Sequence, residues 1–268
     1  MSFVIGREIP RERTDDGRPP GAPPVGASSV EGPSVEERPV GAPSVGERPV
    51  GRLGTYRALD GSAGAPLYLD LDGPHAMLVV GKRGYGKSYT LGVVAEALAP
   101  VPAIAPVVVD PVGVCSTLGA PSNGDPVPAT VIDEPAVDPT ALDPRSWCAL
   151  VGLSPESGPG ALVWQAAQEA TSLAGMRRAV GETDAPSTAR RAAHNHLVLA
   201  ESWGVFDTDG IDVSTLGSSG VTVLDLSGLA DAPMNAIVRG VGEALYRARV
   251  ADSLDRLPWL LVDEAHTF

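Results

Sequence analysis

Apolar positions in this chain follow two periods, and each change of period marks a change of element. Ala76-Met77-Leu78-Val79-Val80 is unbroken and apolar and stops at Gly81, the pattern of a strand covered on both faces. Between Ser88 and Leu98 the apolar residues Leu91, Val94, Ala95 and Leu98 share one helical face, so strand, glycine loop and helix follow in order. Val107-Val108-Val109-Asp110 predicts a second strand broken at Pro111, and Ala129-Thr130-Val131-Ile132 a less regular one after a Gly/Pro-rich loop. From about Asp143 to Trp203 the pattern is helical. Pro159 to Met176 reads as one helix, and Ser187 to Trp203 as another with Ser187 as N-cap and Gly204 as its stop. Val221 to Leu226 returns to strand, Asp231-Ala232-Pro233 opens a helix from Met234 to about Ala251, and Pro258 to Val262 is a final strand. The expectation is an α/β fold, a mostly parallel sheet flanked by helices, with a helical insert over about 143–204.

The N-terminal part lacks either period. Residues 10 to 51 are rich in Pro, Gly, Glu and Arg and carry too little apolar surface to offset ordering entropy, so a disordered tail over 1–52 is expected, followed by a folded domain over 53–268. Residues 33–42 and 43–52 are two copies of a ten-residue Pro-containing repeat that agree at eight positions, which suits an extended tether. Ahead of the glycine loop the sequence leaves room for a short strand pair near Leu53 to Leu71.

Charge narrows the function classes. Among 268 residues, 33 Asp and Glu face 20 Lys and Arg, a formal net charge of −13. That balance excludes a uniformly basic nucleic-acid binder, so any DNA contact must be local. The densest basic spots after the glycine loop are Arg177-Arg178 and Arg190-Arg191, patterns that solvated helix faces commonly carry. Cys115 and Cys148 are too few for a disulfide framework, lack a neighbouring base, and are expected in the core of a cytoplasmic protein. No apolar run is long enough to predict a membrane span or a signal peptide. The only lysines are Lys82 and Lys87, and this acidic, Lys-poor composition resembles that of proteins from extreme halophiles.

Gly81-Lys82-Arg83-Gly84-Tyr85-Gly86-Lys87-Ser88 satisfies G-x-x-x-x-G-K-[ST] at the junction where a phosphate cradle requires it. Glycines let successive N–H groups turn inward at a helix N-terminus, whose partial positive charge suits phosphate oxygens. Lys87 would reach the β- and γ-phosphates, Ser88 would ligate Mg²⁺, and Tyr89 would flank the nucleotide together with the loop. Asp263-Glu264 after an apolar strand reads as the matching acidic pair, Asp263 on the metal and Glu264 on the attacking water. Asp110 either borders the γ-phosphate or caps a turn, Asp225 lies at another strand end, and His266 is either a phosphate-sensing switch or a packing residue.

Residues 81–93, with Val109-Asp110-Pro111-Val112-Gly113 and Leu260 to Phe268, resemble the motifs of HerA-type ATPases, ring-forming DNA translocases related to FtsK and to type IV secretion ATPases. The likeness covers about residues 70 to 268. It implies a RecA-like (ASCE) P-loop NTPase that binds and hydrolyses ATP with Mg²⁺, assembles as a homo-hexameric ring, and acts on double-stranded DNA beside a partner nuclease. Two departures stand out: no room for the small N-terminal β-barrel usual in that family, and an end at the acidic strand that omits the later strands, polar sensor and trans-acting arginine. Such an arginine contributes 10³ to 10⁵ in related phosphoryl transfers, roughly 4 to 7 kcal/mol, so a truncated chain is expected to bind nucleotide better than it turns it over. The alternatives are a nucleotide-binding module without effective turnover, a type IV secretion-like ATPase, and, on Asp263-Glu264-Ala265-His266 alone, a DEAH-box helicase.

Overall fold

The computed structural model describes residues 3–5, 44–45, 48–120 and 127–268, which divide into two compact units, Met1–Met77 and Leu78–Phe268. In the first unit β1 (Phe3–Ile5), β2 (Ser44–Val45), β3 (Arg48–Arg57) and β4 (Ala63–Asp70) form a sheet in the order β1-β4-β3-β2. Antiparallel pairing of β3 with β4 sets Val50 opposite Asp70 and buries Val50 and Leu69. Most of the tail expected over 1–52 lies outside the described residues. Where it is described, 3–5, 44–45 and 48–52 are strand, because β3 pairs with both β2 and β4 and β1 pairs with β4, ladders that composition alone could not announce.

The second unit is α/β. Its elements are α1 (Lys87–Leu98), β5 (Ile104–Asp110), β6 (Ala129–Ile132), a 3-10 turn at Pro139–Ala141, α2 (Pro144–Leu150), α3 (Gly158–Glu169), α4 (Leu173–Glu182), α5 (Ser187–Glu201), α6 (Val213–Leu216), β7 (Val221–Asp225), α7 (Asp231–Val250), β8 (Leu257–Val262) and a second 3-10 turn at Ala265–Thr267. The sheet order is β6-β7-β5-β8 and every pairing is parallel. β5 lies between two neighbours and every one of its residues is buried, which is why it reads as an unbroken apolar run. Helix α1 packs on β5 and β7 and buries Val94, Ala95 and Leu98, while α7 places Ile237, Val241 and Leu245 in a core with Val107, Val109 and Leu224 of the sheet. Asp231 in the first turn of α7 and Arg247 and Arg249 in its last complement the helix dipole, so the helix starts three residues before the expected Met234.

Three further expectations are corrected. Ala76–Val80 forms no strand, and Leu78 and Val80 are 82% and 78% exposed. Both edges of β5 are taken by β7 and β8, and the run pairs with neither of the edge strands β6 and β8. The single helix expected over Pro159 to Met176 is two, because Ala170 is extended and the Ser172 hydroxyl accepts the Gly175 N–H to cap α4. Ser187 is the first residue of α5 rather than its cap, which is Pro186, and Gly204 follows the helix at φ +71°.

Helices α2 to α5 bury a core of their own around Trp147, Met176 and Leu197. Trp147 donates from Nε1 to the Pro139 carbonyl at 3.0 Å and lies 4.7 Å from the Phe206 ring. Among the described residues no helix is long and apolar enough to cross a membrane.

Candidate functional site

The glycine loop adopts the backbone its sequence demands. Gly84 and Gly86 sit at φ +81° and +80°, a left-handed region closed to most side chains, and Tyr85 N–H donates to the Lys82 carbonyl at 3.2 Å between them. Gly86 occupies the N-cap of α1, where no side chain caps the helix. Its carbonyl accepts both the N–H and the hydroxyl of Thr90, at 2.8 and 2.9 Å. No side-chain oxygen thus caps the amides of the first turn. A Cβ placed on Gly81 would lie 3.7 Å from Lys87 Cγ, so the lysine stem folds back over the start of the loop. Lys87 and Ser88 are half-buried, while Lys82, Arg83, Tyr85 and Tyr89 are exposed.

The acids come from three adjacent strand ends. Asp110 and Asp225 are register partners across β5 and β7, and Asp263 N–H extends the β5–β8 ladder by donating to the Val109 carbonyl at 3.1 Å. Asp110 is fully buried and its carboxylate accepts the N–H groups of Val112, Gly113 and Cys115 at 3.2, 2.8 and 2.6 Å. Of its two expected roles, the structure shows the turn cap. Asp263 is 5% exposed, its Oδ1 accepts the Glu264 N–H at 2.9 Å, and its Oδ2 has no partner. Glu264 itself lies in the left-handed region at φ 45°, ψ 41°, and its carboxylate is 3.2 Å from His266 Nδ1.

Cys115 ties loop and acids together. It is 4% exposed, and burial first, then the charges of Asp110 and Asp263, push its thiol up to about 11. It also lines a cavity of about 310 Å³ with Ser88, Tyr89, Gly92 and Glu96 of α1. The residue that feels Asp263 therefore shares a cavity with the serine that ends the glycine loop. Among the described residues no three of His, Cys, Asp and Glu gather around one point.

Elsewhere the expectations are less productive. Arg177 pairs with Glu201, and Arg190 donates from Nη1 to the Gly181 carbonyl at 3.0 Å, so half of each basic pair is spent within the insert. Cys148 is buried, and burial raises its thiol above the usual range. Sequence reading missed the abutment of the loops after β5 and β7, where a Cβ on Gly113 (φ +80°) would sit 3.1 Å from Ser227 Oγ. The only advance signal was the Asp110-Pro111-Val112-Gly113 turn itself.

Comparison of the sequence with protein-family models and with curated proteins gives no match.

Proposed function

We propose that the second unit binds and hydrolyses Mg·ATP as the motor core of a HerA-like DNA translocase. The observation that carries this reading is the pairing of an uncapped α1 start behind two left-handed glycines with a buried, half-satisfied Asp263. A carboxylate oxygen left without a donor at 5% exposure is costly unless something positive meets it. Ser88 and Asp263 are the oxygen donors that would hold Mg²⁺, which supplies charge neutralisation on the phosphates when bound. The amides of 84–88 receive the phosphate oxygens and Lys87 adds a point charge beside them. In the reaction, water attacks the γ-phosphorus and the bond to the β–γ bridging oxygen breaks. Glu264 takes the water proton, and ADP and phosphate leave. Assembly into a ring, and a grip on duplex DNA through arginines of neighbouring copies, belong to the same proposal.

A second reading, a nucleotide-binding module with little turnover, is favoured by one specific observation: the carboxylate of Glu264 is engaged by His266. Titrating a fluorescent ATP analogue while following phosphate release, with and without duplex DNA, separates the two. Turnover in the full chain that falls at least about 100-fold in Lys87→Ala supports the motor reading. Binding without release supports the module. Equal binding and turnover by Lys87→Ala and the unaltered chain would remove both.

A further inference from the structure

We infer that residues 263–267 form a latch that parks Glu264 away from its task, with His266 as the positioning residue of the parked state. The inference rests on Glu264 being the general base of the proposed hydrolysis. Four contacts close on this one residue. Its N–H donates to Asp263 Oδ1 at 2.9 Å, its carbonyl accepts the N–H and the hydroxyl of Thr267 at 2.9 and 3.0 Å, and its carboxylate meets His266 Nδ1 at 3.2 Å. All four hold a backbone at φ 45°, ψ 41°, a conformation that an L residue with a long side chain adopts only when its surroundings enforce it.

Two consequences follow from this geometry. A carboxylate oxygen that lies 3.2 Å from the His266 imidazole nitrogen is turned toward that ring and has less room for a water. The Glu264 N–H also occupies Asp263 Oδ1, so the same turn reduces what Asp263 offers a cation. A strand continuing past Val262 in extended form would free both acids at once, because Glu264 N–H would swing off Oδ1 as φ changes sign. His266 is 78% exposed, so the core does not need it where it stands. Nucleotide binding, or a neighbouring copy in a ring, would then release the latch by favouring the extended form.

The test uses the full 268-residue chain. His266→Ala should raise kcat for ATP about three- to tenfold with KM unchanged, because only the parked state loses a contact. His266→Asn, whose amide can donate to the same oxygen, should return kcat to the unaltered value. A kcat at or below the unaltered value in His266→Ala overturns the latch, as does an Asn variant that behaves like Ala. Independently of turnover, the ¹³Cα and ¹³Cβ shifts of Glu264 report its backbone. They should read left-handed in the free chain and move toward extended in His266→Ala, and shifts that stay unmoved there overturn the proposal. Failure of the underlying reading looks different: nucleotide affinity indistinguishable between the unaltered chain and Lys87→Ala.

Discussion

The loop after β5 and the turn after β8 begin in the same way and end in opposite states. Each follows a parallel strand, each opens with an aspartate at the same level of the sheet, and each aspartate is at most 5% exposed. Asp110 is wrapped by three backbone N–H groups, so both of its oxygens have donors and most of the cost of its burial is compensated. Asp263 keeps Oδ2 bare. An unmet buried oxygen costs about 1–3 kcal/mol and persists where a partner arrives from outside. Burial of a carboxylate therefore says little about its work; the number of donors around it says much more.

Exchanging each aspartate for alanine gives the widest separation between the two. Asp110→Ala strands three amides of a tight loop and should cost about 3–5 kcal/mol in urea unfolding. Asp263→Ala removes the unpaired Oδ2 together with one hydrogen bond, that from the Glu264 N–H to Oδ1, so its stability should fall by only about 1 kcal/mol while Mg²⁺-dependent ATP turnover falls at least about 100-fold. Equal losses of stability in the two variants would erase the distinction between them.

Much of this contrast was legible in the chain, and the remainder fails for a common reason. The loop 81–88, α1 and β5 follow from patterns confined to a few neighbouring residues: glycines at fixed spacing, a 3.6-residue apolar face, a β-branched run. Ala76–Val80 reads as a strand but forms none, because a strand is a relation between segments and this run pairs with neither edge of the β6-β7-β5-β8 sheet. The tail residues 48–51 were misjudged in the opposite sense, since β4 recruits a Pro- and Gly-containing stretch into a ladder. Within the site, local chemistry announced Lys87 and Asp263 as residues, whereas the partner count that separates Asp110 from Asp263 depends on three amides folding back over one carboxylate. Cys115 was expected in the core and is buried, yet its place beside Ser88 in one cavity needs α1 and the β5 loop to meet.

A smaller effect probes how rigidly the Asp110 loop is held. Gly113 sits at φ +80°, and an added Cβ would approach Ser227 Oγ to 3.1 Å in the loop after β7. Gly113→Ala should cost about 1–2 kcal/mol, part from the backbone and part from the contact. Ser227→Ala in the same chain relieves the Oγ part of the contact and leaves its Cβ at 3.3 Å, so the double variant should recover a fraction of the loss. Full recovery would mean that the left-handed backbone carries no cost there, and the loop would be softer than its three hydrogen bonds imply.

The finest comparison uses Cys115 as a reporter placed between the two acids. Its thiol is raised to about 11 by burial, then by Asp110, then by Asp263. A thiol is neutral when protonated, so a raised value adds stability that is whole below the ordinary 9.0 and is lost as pH climbs through about 11. In a Cys148→Ser background, alkylation of Cys115 by iodoacetamide should rise about tenfold per pH unit up to pH 9.5 without levelling, since the thiolate remains a minor species. Asp263→Asn removes the weakest of the three causes and should accelerate alkylation at fixed pH only slightly, with nothing else disturbed. Asp110→Asn removes a larger charge effect and also loosens the amide that anchors Cys115, so its acceleration should be the greater. An order reversed between these two variants would place the thiol nearer the β8 turn than the β5 loop, and the contrast between a sealed carboxylate and an open one would have to be redrawn around a different neighbour.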